Sequence, residues 1–74
     1  MDHVEMLLVR SSTIAAIGYD DRCRTLVVQF RRTQETYCYL DVDRSVFEAF
    51  LKAQSKGRYF NERVRDRYVH KRTL

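Results

Sequence analysis

Positive charge is the most concentrated chemistry in this sequence. Over residues 55–74, Lys56, Arg58, Arg63, Arg65, Arg67, Lys71 and Arg72 stand against only Glu62 and Asp66, whereas residues 1–54 carry slightly more acidic than basic side chains. The net charge of +4 therefore comes from the last stretch of the chain. Guanidinium and ammonium groups gathered this way grip phosphates, each contact adding salt-dependent affinity without reading sequence, and their field speeds encounter with polyanions. Tyr59, beside Arg58, adds an aromatic face on which a base could stack. The candidate nucleic-acid-binding set is thus Lys56, Arg58, Tyr59, Arg63, Arg65, Arg67 and Arg72. The plainer reading of the same residues is a solvated helix face that keeps a small protein dissolved.

Other chemistry is thin. His3 and His70 sit near the two ends, Ser11-Ser12 has no base beside it, and Asp20, Asp21, Asp41 and Asp43 fall at turns and a helix start, where aspartate is ordinarily found. No catalytic constellation is expected, and Asn61 reads as a buried or capping amide. Cys23 and Cys38 lack a CxxC partner or a histidine at ligand spacing, so neither a metal site, another cofactor nor a disulfide framework is predicted. Tyr37 and Tyr39 could form a stacking platform, but alternation along their strand favours rings buried under the first helix.

Positioning these residues requires a sheet and helices. Ile14–Tyr19, Thr25–Phe30 and Thr36–Leu40 alternate as strands do, separated by polar breaks, and Leu7 to Val9 is a candidate short extra strand. With Asp21-Arg22 and Thr33-Gln34 as two-residue loops, Ile17 faces Leu26, Ala15 faces Val28, Phe30 faces Tyr37 and Val28 faces Tyr39, which puts the large side chains on one face. Ser45-x-x-Glu48 has the form of a capping box, and Val46, Phe47, Phe50 and Leu51 recur at helical spacing to about Gln54. Gly57 suits a left-handed helix end, although backbone amides beside it could also seat a phosphate. Phe60, Val64 and Tyr68 step by four along a second helix from Arg58, with Arg58, Arg65 and Arg72 stepping by seven on another face and Lys71 to Leu74 fraying. The predicted fold class is α+β: a three-stranded antiparallel meander packed against two C-terminal helices.

With 74 residues the chain holds one core, and 45% hydrophobic residues with no proline and two glycines describe an ordered, soluble chain. A domain this small buries only about 60% of its unfolded surface, so self-association is a natural way to cover more. The N-terminal stretch Met1 to Arg10 lacks a basic segment and a long apolar run, which predicts a cytoplasmic protein with no membrane partner.

Ser11-Ser12 with Ile14, the run Ile17-Gly18-Tyr19-Asp20, the Tyr37-x-Tyr39 pair, and Ser55-Lys56-Gly57-Arg58-Tyr59-Phe60-Asn61 with Arg65 downstream together resemble the KTSC domain. That family is named for the C-terminal segment of some lysyl-tRNA synthetases. The resemblance covers about residues 7–68 and looks like that of a stand-alone bacterial member. It implies RNA binding, suggested by attachment to a synthetase. Asp43 departs from the proline expected to open the first helix, and a carboxylate there can accept free amides instead. The expectation is a small module that binds RNA or tRNA through its basic second helix; the alternative is a module that binds a protein partner or itself.

Overall fold

The computed structural model describes residues 4–73, so His3 and Leu74 lie outside the described residues. Five strands form one antiparallel sheet in chain order: β1 (Leu7–Leu8), β2 (Ile14–Asp20), β3 (Thr25–Phe30), β4 (Thr36–Tyr39) and β5 (His70–Thr73). Helix α1 (Arg44–Lys52) and the short α2 (Lys56–Tyr59), which continues into a single π-helical turn over Phe60–Val64, cover one face. The α+β class stands, but among the described residues the sheet has five strands instead of three: Leu7–Leu8 does pair with β2, and Lys71 to Thr73, expected to fray, belong to β5 against β4.

Both hairpins are offset by two residues from the predicted register. Ile17 faces Val28 and Tyr19 faces Leu26, while Val28 faces Tyr37 and Leu26 faces Tyr39. The loops span residues 21–24 and 31–35, and each carries a side chain in the left-handed region near its end, Arg24 at φ 54° and Gln34 at φ 61°. An even offset preserves the side-chain face, so the apolar set survives the slip. The exception is an irregularity between Ile14 and Ala16, which carries Ile14 into the core in place of Ala15.

Ile14, Ile17, Leu26, Val28, Val42, Phe50 and Val64 are fully buried, each contributing roughly 1.5–3 kcal/mol of transfer free energy. On α1 the stripe is as predicted, with Phe47 and Phe50 buried and Val46 and Leu51 packed at the margin. The capping box does not form. Asp43 occupies the N-cap but makes no side-chain cap bond, because its carboxylate is drawn to Arg24 at 2.5 Å. Gly57 also differs from expectation: it lies inside α2 without a positive φ, and a Cβ there would meet the Thr13 hydroxyl at 3.1 Å. Its small size lets the helix approach the segment before β2.

The second helix stops at Val64 instead of running to Tyr68. The Arg65 amide donates to the Phe60 carbonyl at 2.8 Å, a five-residue step that keeps Phe60 and Val64 both on the sheet, and Asp66 then turns the chain back at φ 64°. Helix propensity loses here to pairing of β5 along the edge of β4.

The opposite sheet face is also covered. A Cβ on Gly18 would lie 2.7 Å from the Met6 sulfur and 2.8 Å from the Glu5 carbonyl, so residues 4–6 cross directly over β2. Cys38 lies on this face, 6% exposed, and burial pushes its thiol pKa up. Cys23 is exposed in the first hairpin loop. Among the described residues no helix is long and apolar enough to cross a membrane, and no cluster of three or more metal-ligating side chains occurs.

Candidate functional site

A surface groove runs where the β3–β4 loop, the π-helical turn, β5 and the segment before β2 meet. Its wider part is a cleft of about 780 Å³ with Phe30, Tyr37, Tyr39 and Phe60 at its base and Ser12, Thr13, Arg32, Arg65, Asp66 and His70 around them. A second hollow of about 550 Å³ shares Ser12 and Thr13 with it and carries Arg10, Lys56, Arg58, Asn61 and Glu62. The cleft falls within the usual size range of ligand sites, about 300–1,000 Å³.

The shared wall is built by one side chain. Arg31 donates from Nε to the Ser11 carbonyl at 2.7 Å and from Nη2 to those of Val9 and Ile14 at 3.2 and 3.3 Å, while its own amide donates to the Thr13 carbonyl. Inside the same turn the Ser11 hydroxyl accepts from the amides of Thr13 and Ile14, both at 3.1 Å. Ser11 is thereby committed to its own backbone, whereas Ser12 is exposed.

The aromatic base is tightly assembled. Phe60 meets Tyr39 edge-on at 5.7 Å and Phe30 at 5.1 Å, Tyr37 and Tyr39 stack at 6.5 Å, and the His70 ring lies 5.6 and 5.3 Å from them. Tyr39 is thus covered by Phe60 of the second helical segment and not, as expected, by α1, while Tyr37 packs against Phe30 and His70. Burial, reinforced by Tyr37 and opposed by Arg65, pushes the Tyr39 pKa up to about 12. Its phenol therefore stays protonated and able to donate at neutral pH. Among the described residues neither the Tyr37 nor the Tyr39 hydroxyl has a hydrogen-bond partner, yet no buried side-chain oxygen is unsatisfied. The Tyr39 hydroxyl must therefore reach open space although its ring does not.

The predicted basic set does not assemble on one helix face. Lys56, Arg58 and Arg65 line the groove. Lys56 donates to the Ala53 carbonyl, and Arg58 pairs with Glu62 at 3.1 Å. Arg72 lies on β5, paired with Glu35 at 2.8 Å. Arg67 donates to the Glu62 carbonyl at 3.1 Å, and Arg63 is exposed near Tyr59. Tyr59 is not a free stacking face: its ring stacks on Phe50 at 5.2 Å, its hydroxyl donates to the Val46 carbonyl at 3.3 Å, and burial raises its pKa. Sequence reasoning missed Arg10, Arg32 and Phe30 as groove residues and considered His70 only for catalysis. Arg32 and His70 reach the cleft through the longer β3–β4 loop and a fifth strand, neither of which periodicity showed.

Comparison with known proteins places this geometry in context. The KTSC domain family model matches residues 10–68. A protein from Tsukamurella paurometabola is 40% identical over 60 residues, covering 81% of this chain and 88% of that one. An uncharacterised protein from Stutzerimonas stutzeri is 34% identical over 59 residues, covering 80% and 82%. A crystal structure of a KTSC domain protein from Yersinia pestis superposes with a TM-score of 0.92 at 35% identity, covering 97% of this chain and all of its own. With a match that takes in β2 through the π-helical turn and every groove residue except His70, the chain belongs to the KTSC domain family.

Proposed function

We propose that the chain is a non-enzymatic nucleic-acid-binding module and that the groove, not a basic helix, is its binding surface. One observation carries this reading. Two tyrosine hydroxyls without partners lie at the base of a cleft whose rim holds Arg32 and Arg65, neither of which forms an ion pair among the described residues. Aromatic faces with cations beside them are how single strands and flexible RNA segments are held, bases against rings and phosphates against guanidinium groups. Arg10, Lys56 and Arg58 extend the same charge along the hollow. The segments that carry the family resemblance, Ser11-Ser12, Tyr37-x-Tyr39, Ser55 to Asn61 and Arg65, contribute to this surface from separate parts of the chain.

Fluorescence anisotropy with labelled tRNA tests the reading. Binding is expected at about 50 mM salt and to weaken steeply toward about 200 mM. Absence of binding at the lower salt would overturn it. So would a pull-down partner that survives nuclease treatment with no nucleic acid retained, since that outcome assigns the arginines to an acidic protein.

A further inference from the structure

We infer that the groove takes an unpaired, single-stranded segment, with one base in the aromatic cleft and an adjoining phosphate in the polar hollow. The inference deepens the nucleic-acid reading and rests on it. Its first support is position: Tyr39 is only 4% exposed, so the rings open to an occupant are those of half-buried Tyr37 and exposed His70, which line the cleft, and a flat group must enter the cleft to stack on them. Bases inside a duplex have their faces covered by neighbours and cannot do so without unstacking. The second support is charge. The cleft lining sets Arg32 and Arg65 against Glu35 and Asp66, a near-balanced charge that suits a neutral base better than a row of phosphates. The hollow has the opposite balance, with Arg10, Lys56 and Arg58 against Glu62. The third is continuity, because Ser12 and Thr13 belong to both compartments and place an aromatic site directly beside a cationic one.

Anisotropy titrations with a labelled RNA of about eight nucleotides, alone and annealed to its complement, test this directly. The single strand should bind at least about tenfold more tightly than the duplex, and His70→Ala or Tyr37→Ala should cost roughly tenfold for the single strand while leaving duplex binding unchanged. His70 is exposed, so its variant tests the cleft even if the Tyr37 variant folds poorly. Equal affinity for the two forms, or equal losses for both, would overturn the inference and leave nucleic-acid binding in place. A nucleoside monophosphate competing as well as the strand would likewise overturn it by assigning the groove to a free nucleotide. No binding of any form would remove both readings together.

Discussion

Strand β3 runs between two clusters built from the same residue types and used in opposite ways. At its start, Arg24 pairs with Asp43 at 2.5 Å and with Asp41 at 3.7 Å, Arg44 pairs with Asp21 at 2.6 Å and Glu48 at 3.2 Å, and the Tyr19 hydroxyl donates to the Val42 carbonyl at 2.5 Å. The Arg44 guanidinium also lies 5.9 and 5.7 Å from the rings of Tyr19 and Phe47, which stack on each other. At its far end, among the described residues, Arg32 forms no ion pair and the cleft tyrosine hydroxyls have no hydrogen-bond partner, although their rings are packed. The first cluster fastens α1 to the sheet. The second leaves polar capacity facing outward, at a place the core holds rigid.

The two uses can be separated by experiment. The largest effect is expected from Phe50→Ala, which empties a fully buried site beneath Tyr59 and should cost roughly 3–5 kcal/mol, read by urea denaturation. A loss that size in so small a domain should abolish both clusters together. Alkaline titration comes next. Tyr39 favours its neutral form in the folded state, so its contribution is intact below pH about 10 and is lost as pH rises through about 12, by up to about 2–3 kcal/mol. Tyr19 and Tyr59 add to the same slope, since burial raises both, and Tyr39→Phe should remove only the Tyr39 share of the stability lost over that range.

A paired comparison of arginines sharpens the contrast. Arg32→Glu with Arg65→Glu should weaken tRNA binding at least about tenfold while the melting temperature stays nearly constant. Arg24→Gln with Arg44→Gln should do the reverse: binding within about twofold, and a small but measurable drop in melting temperature because these exposed pairs are individually weak. Equal loss of binding from both pairs would mean that only net charge matters. The smallest effect is expected at Gln34, whose φ of 61° is costly for any side chain; Gln34→Gly should raise stability by up to about 1 kcal/mol in thermal melts without altering affinity.

Much of the fold could be read from local patterns. Alternation at Leu26, Val28 and Phe30 and the helical spacing of Phe47 and Phe50 fixed faces, and faces survive an even slip in register. Loop length did not follow, because Arg24 and Gln34 close their hairpins in a conformation usually left to glycine or asparagine. The basic second helix was misjudged because step-by-four spacing fits a π-helical turn as well as an α-helix, and because β5 pairing is a long-range gain with no local signature. The site was legible only in pieces. Tyr37 and Tyr39 drew notice as a pair, but their open hydroxyls depend on which helix covers them. Tyr59 looked accessible until α1 was placed against it.

Arg31 has a mechanical consequence. One guanidinium ties three carbonyls of the Val9–Ile14 bend to the neighbouring hairpin, like a rivet through two plates, so the ridge dividing cleft from hollow is tied to the β3–β4 loop and the two should shift together. A load placed on one side of that ridge would be carried through the same three hydrogen bonds to the other.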